Sequence, residues 1–315
     1  MKTAFLFPGQ GSQFVGMGLD FYQEFDVVRE LFDMAEETVK MKLKNLCFKG
    51  PLEALTETVN LQPAVTAVNL ACLAVLEREA IGADVTAGHS LGEYSALATA
   101  GVLSPQDTFR AVLRRGQLMH REARKHPGAM VAVVGLSIDV VQQIVTDAQA
   151  QGVVSVANHN TALQIVISGS PEPVQNAAQA AHARGARTIP LNVSGAWHSP
   201  LIQGAEGEFG AFLQSLSFNT PQRGVIFNVT ADYCSDPEAM RRLLAEQLCN
   251  PVRWYDAMIR LMEDGVEAFV EVGPGRVLSG IQKKILPKAH PGAVFNVGDL
   301  KSLEAFLTAR AKKSV

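Results

Sequence analysis

Several short segments of this chain are apolar at nearly every position, and each runs into a glycine-rich turn or a helical pattern. They are residues 2–7, 225–228, 268–272 and 293–297, and 84–87 reads as a further strand. A strand with one face in water alternates apolar and polar side chains, whereas an unbroken apolar run has to be covered on both faces. The pattern therefore predicts an α/β fold: a doubly wound, mostly parallel sheet with helices on either side.

The intervening segments supply those helices. Val28, Leu31, Phe32 and Ala35 recur at i, i+3, i+4 and i+7, one face of a 3.6-residue repeat. Residues 64–76 are apolar or small almost throughout, which predicts a helix buried on all sides. A further helix is expected over 91–100. Residues 128–195 keep a rhythm of their own, with strands over 129–136, 153–157, 164–168 and 187–193 and helices over 137–150 and 171–184. That order, β-α-β-β-α-β, predicts a ferredoxin-like α+β small domain inserted into the larger one. The large domain is then residues 1–127 and 196–315, and the inserted small domain residues 128–195.

Composition narrows the function classes. A chain of 315 residues with 47% hydrophobic and 19% charged positions has ample material for a core. A net charge of -3 supplies no global basic field of the kind nucleic acid demands. The apolar stretch at the N-terminus is short for a secretion signal, and the run over 129–136 falls far below the ~20 residues that cross a bilayer. No membrane association is expected. Cys47, Cys72, Cys234 and Cys249 are scattered, without metal-ligand spacing, and read as reduced thiols of a cytoplasmic protein. Neither metal nor cofactor is expected.

Chemistry is suggested first by Gly88-His89-Ser90-Leu91-Gly92, a G-x-S-x-G sequence between a strand and a helix. In that context a serine occupies a tight strand-to-helix turn, as in α/β-hydrolase-like domains, and the N–H groups at the helix start can stabilise an oxyanion. A serine between glycines also serves as an ordinary helix N-cap, so the motif needs a base and a second donor. The turn Gly9-Gln10-Gly11-Ser12 would lie at the same edge of the sheet, which makes the Gln10 N–H a candidate beside that of Leu91.

Of seven histidines, His89 neighbours the serine and is expected to point elsewhere, while His120, His126 and His182 lie in polar stretches; His159 and His290 complete the set with His198. His198 stands where the chain leaves the small domain, facing the cleft. No acidic residue is clearly placed to orient it, but a Ser–His pair suffices for a thioester, whose thiolate leaves readily.

Taken together these residues resemble the malonyl-CoA:acyl carrier protein transacylases of fatty acid and polyketide synthesis. The resemblance is carried by FLFPGQGSQ from Phe5, GHSLGEYSAL from Gly88, RRGQLM from Arg114, AWHS from Ala196, QLCNPVRW from Gln247 and EVGPGRVLSG from Glu271, in family order. It implies Ser90 as nucleophile, His198 as base, Gln10 and Leu91 as backbone oxyanion donors, Arg115 as the grip on the malonyl carboxylate, and the Gln247 carbonyl as orienter of the histidine. Trp197 departs from the Phe more usual before the histidine in malonyl-selective members, and implies crowding at a branched C2. Coenzyme A enters as a thioester substrate, malonyl-CoA, with an acyl carrier protein as the partner. Carrier proteins of this kind are acidic, so Arg114, Arg121, Arg124, Lys283, Lys284 and Lys288 are candidates for its docking surface. Three alternatives stay open: an acyltransferase serving a polyketide synthase, an acyl-clearing hydrolase, and a non-catalytic carrier-binding module.

Overall fold

The computed structural model describes residues 1–288 and 292–313. Nine strands occur among them: β1 Thr3–Phe7, β2 Val85–Gly88, β3 Ala129–Val134, β4 Val154–Thr161, β5 Gln164–Gly169, β6 Arg187–Pro190, β7 Gly224–Ile226, β8 Ala268–Val272 and β9 Ala293–Val297. They form two sheets. The larger is parallel in every pairing, in the order β7-β2-β1-β8-β9, and the smaller is antiparallel, in the order β4-β5-β3-β6.

The unbroken apolar strands have the expected cause. Along β1, Phe5 and Phe7 face one core with the helices Asp26–Val39, Thr58–Arg78 and Pro105–Lys125, while Ala4 and Leu6 face a second core with Trp254–Glu263 and Val277–Ile285. Both faces are dry, so no polar alternation is possible.

In the smaller sheet Val131, Val133, Ile165 and Ile167 pack under the helices Ile138–Ala148 and Pro171–Ala183, forming a separate core. The opposite face, with Met130, Ala132 and Val166, joins the main core of the large sheet. The cleft between the two sheets is therefore lined by the inner face of the smaller one.

Two expectations change in detail. The helix Thr58–Arg78 is long and apolar enough to cross a membrane, more so than the run at 129–136, yet 83% of its apolar window is buried inside the protein. It is the central helix of the main core. β4 runs to Thr161, four residues past the expected end. Its polar extension Asn158-His159-Asn160-Thr161 is held by β5 and by the 249–254 segment: His159 N–H donates to Val252 O at 2.9 Å, and Val252 N–H to Ala157 O at 2.8 Å. This strand end ties the small sheet to the large one.

Candidate active site

In the large sheet Phe7 pairs with Gly88, so the turns that leave the carboxyl ends of β1 and β2 meet side by side. The chain doubles back so tightly after β2 that a Cβ on Gly88 would stand 1.9 Å from the Gly92 carbonyl carbon, and one on Gly92 1.9 Å from Phe7 O. Only glycine fits either position. Ser90, at the apex, has φ 51°, a left-handed conformation that costs a non-glycine residue on the order of 1–3 kcal/mol and persists only where its surroundings hold it.

His198 arrives from the far side of the cleft, also with positive φ (58°), fixed by its N–H donating to Leu248 O at 3.1 Å. Its Nδ1 lies 2.8 Å from Gln247 O and its Nε2 2.8 Å from Ser90 Oγ. A carbonyl can only accept, so Nδ1 carries the proton, Nε2 is left as acceptor, and the Ser90 hydroxyl donates to it. The backbone carbonyl of Gln247 thus stands where an acidic side chain stands in a Ser-His-Asp triad.

Burial, with the Arg115 charge adding to it, pushes the His198 imidazole down to about 3. An unperturbed histidine titrates near ~6.5. Below that value the unfolded chain binds a proton that the folded protein refuses, so His198 lowers stability progressively as pH falls from about 6.5, and has no such effect above it. An NMR titration of the His198 ring is expected to show the neutral Nδ1–H tautomer throughout pH 8 to 5. A midpoint near 6.5 would contradict the desolvated environment.

Arg115 emerges from the helix Pro105–Lys125 and is 1% exposed, unlike its neighbours Arg110 and Arg114 on the same helix. Its Nη1 donates to Gln62 Oε1 at 3.1 Å, and its Nη2 to Gln247 Oε1 at 2.9 Å and Ser90 Oγ at 3.0 Å. All three acceptors are neutral. Burial lowers its pKa, as it must for a desolvated cation.

Ser90, His198, Arg115, Gln10, Leu91 and Trp197 line one cavity of about 100 Å³, together with Gln62, Met119, Met130, Leu191 and Val193. Gln247 lies behind it, fully buried. Among the described residues the N–H groups of Gln10 and Leu91 donate to no protein acceptor, which leaves both free for a ligand oxygen. Trp197 is 4% exposed, and its ring fits because residue 195 is glycine; a Cβ there would lie 2.7 Å from the indole.

His89 differs from expectation. It lines the cavity, its Nε2 2.9 Å from Asn160 Oδ1 and its ring against Trp254. His126 and His182 are exposed, His120 is half-buried, His159 packs on Tyr255, and His290 lies outside the described residues. Of the basic candidates, Arg114 and Arg121 both pair with Glu208, and Arg121 also with Glu122, so that cluster is internally neutralised. Arg124, Lys283, Lys284 and Lys288 are exposed. No group of three or more His, Cys, Asp or Glu side chains that could hold a metal ion occurs among the described residues.

Sequence reasoning missed Gln62, Asn160, Asn228 and Glu93. Gln62 had a signal: an amide inside a helix apolar on every side has to find a buried partner. Asn228 and Glu93 hold the serine turn through tertiary contacts, and no local pattern announces them.

Residues 4–312 match the acyl transferase domain family. The malonyl CoA-acyl carrier protein transacylase of Bacillus subtilis (strain 168) is 42% identical over 286 residues, 90% of each chain. An acyl carrier protein S-malonyltransferase from Vibrio cholerae superposes with a TM-score of 0.92 at 40% identity, over 97% of this chain and 100% of that one. PlMCAT, a malonyl-transacylase solved in complex with AntF, its type II polyketide synthase acyl-carrier protein, superposes with a TM-score of 0.94 at 36% identity, covering 98% and 100%.

Proposed function

The chain belongs to the malonyl-CoA:acyl carrier protein transacylase family, and on that premise we propose that it moves malonyl from malonyl-CoA to the phosphopantetheine thiol of an acyl carrier protein through an ester on Ser90. One observation carries the choice of acyl group: the buried Arg115 guanidinium donates hydrogen bonds only to neutral acceptors. A desolvated cation without an anion is unfavourable, and a malonyl carboxylate relieves this with two parallel charge-assisted hydrogen bonds. The carboxylate would displace Ser90 Oγ from Arg115 and leave the hydroxyl to His198. The small cavity volume suits a short acyl group rather than a fatty chain.

In the first half-reaction Ser90 Oγ attacks the thioester carbon while its proton passes to His198 Nε2, and the N–H groups of Gln10 and Leu91 bind the carbonyl oxygen as it gains charge. The C–S bond then breaks, and the leaving sulfur takes the proton back from His198. In the second half the carrier thiol gives its proton to His198 Nε2 and attacks the ester carbon, the C–O bond to Ser90 breaks, and Ser90 Oγ takes the proton back from His198. Burial of the base and the acyl group within the cleft disfavours water as the acceptor. The reading requires no cofactor beyond the coenzyme A carried by the substrate.

We assign the activity to fatty acid synthesis in the cytoplasm, where the unpaired Cys47, Cys72, Cys234 and Cys249 stay reduced. The likeness to PlMCAT supports a polyketide carrier as the second reading, and comparison of kcat/KM with the two carriers separates them. An acidic carrier would meet the exposed Lys283, Lys284 and Lys288 more readily than the neutralised Arg114 and Arg121.

The substrate assignment is tested by offering malonyl-, methylmalonyl- and acetyl-CoA to the protein and to Trp197→Ala. Malonyl is expected to be preferred by the unaltered protein. Shortening Trp197 is expected to raise kcat/KM for methylmalonyl relative to malonyl by ~10–100-fold, the range that one methyl group commands in an apolar pocket. Equal turnover of malonyl and methylmalonyl by the unaltered protein would remove the role given to the indole.

A further inference from the structure

Ser90 is held in its left-handed conformation from behind, by side chains that reach across from two other segments. Its N–H donates to Asn228 Oδ1 at 2.7 Å, and Asn228 Nδ2 donates to Gly88 O at 2.7 Å. Asn228 lies two residues past the end of β7, the strand that pairs with β2. Its amide therefore continues the ladder beyond the point where backbone pairing stops, and bridges the residues on either side of His89.

Asn228 is itself fixed. Glu93, fully buried in the first turn of the helix Gly92–Thr99, accepts from Asn228 N at 3.1 Å and from Gln247 Nε2 at 2.8 Å through the same oxygen, Oε2. Gln247 Nε2 also donates to Ser90 O at 3.0 Å. With its nitrogen committed to Glu93 and Ser90, the Gln247 amide must present Oε1 to Arg115. One carboxyl thus holds the Asn228 backbone and the Gln247 side-chain amide, and the side-chain amides of those two residues take both backbone groups of the nucleophile and one arm of the guanidinium.

We infer that Asn228 and Glu93 are positioning residues of the acyl-transfer step, Asn228 clamping the strained Ser90 turn and Glu93 orienting both Asn228 and Gln247. The inference rests on the reading of Ser90 as nucleophile. Burial pushes the Glu93 carboxyl up to about 8, against the two hydrogen bonds it accepts, so at neutral pH it is held mainly as the neutral acid, for which a glutamine can stand in.

The test needs a reaction at Ser90 that is indifferent to the malonyl group. A fluorophosphonate supplies it: the Ser90 Oγ–P bond forms, the P–F bond breaks, fluoride leaves and His198 takes the proton. In Asn228→Ala the phosphonylation rate and the kcat for malonyl transfer are expected to fall by about 10²-fold, the usual effect of misplacing a reacting atom by ~1 Å. The KM for malonyl-CoA should move by less than ~3-fold, because Asn228 does not hold Arg115. Glu93→Ala should lower both kcat and phosphonylation, and Glu93→Gln should recover most of the loss. Thermal melts report whether each variant folds. Should Asn228→Ala fail to fold, the isosteric Asn228→Asp replaces it, since it keeps the acceptor for Ser90 N–H but sets a second acceptor against the Gly88 carbonyl, and a loss of about 10-fold is expected. A folded variant at Asn228 whose phosphonylation rate is unchanged overturns the clamp. Loss of phosphonylation in a protein that proves unable to take malonyl would sink the substrate assignment instead and leave the clamp standing.

Discussion

Replacing Ser90 with alanine is expected to lower malonyl transfer by on the order of 10⁴–10⁶-fold in kcat, the range seen when the nucleophile of a serine-histidine pair is removed. The basis is geometric. Ser90 Oγ is the oxygen 2.8 Å from the His198 nitrogen that has to act as acceptor, and it lines the same cavity as the unengaged N–H groups of Gln10 and Leu91. Binding should survive: Arg115 remains, and the variant should hold malonyl-CoA within a few-fold of the unaltered protein when measured by calorimetry. The variant loses only one oxygen, so the fold has no reason to change. Retention of more than a few per cent of kcat would mean that another group carries the acyl chain.

The second large effect is expected at Arg115. Truncation to alanine removes a buried charged partner of the substrate carboxylate, an interaction whose loss costs about 2–5 kcal/mol, or roughly 30-fold to 4,000-fold in kcat/KM for malonyl-CoA. Acetyl-CoA has no carboxylate to lose, so its rate should hold or rise, and the malonyl-to-acetyl ratio should collapse. Arg115→Lys separates charge from shape. A lysine keeps the cation but cannot span Gln62 and Gln247 while gripping two carboxylate oxygens, so it should recover only a small part of the selectivity. Steady-state kinetics with both thioesters decide the matter. A ratio that survives in Arg115→Ala would place acyl selection elsewhere in the cavity.

Much of this arrangement was legible in the sequence because it is local. The G-x-S-x-G turn is visible within five residues, although the demand for Gly92 comes from Phe7 of β1, and the parallel sheet follows from apolar runs that need cover on both faces. The β-α-β-β-α-β order could be read segment by segment because the two helices and four strands differ in period. Arg115 could not be told from its neighbours by pattern: four other arginines share its stretch, and only packing buries this one. Resemblance to a family singled it out.

The polar end of β4 was illegible for the opposite reason. Asn158-His159-Asn160-Thr161 looks like loop, and it is strand because β5 and the 249–254 segment pair with its backbone while His89 bonds the Asn160 side chain. Glu93 reads as an ordinary first-turn acid, favourable to a helix dipole. That it faces inward, onto Asn228 and Gln247, depends on a strand more than a hundred residues away.

The most direct measurement is of the covalent intermediate itself. The protein is mixed with malonyl-CoA without carrier, quenched in acid within one turnover, weighed intact and then mapped by peptide. One malonyl group per chain is expected, located on Ser90 and discharged when carrier thiol is added before the quench. A chain that stays unmodified while carrier protein is still malonylated at the same rate would mean direct transfer between thiols, and would contradict the account at its centre.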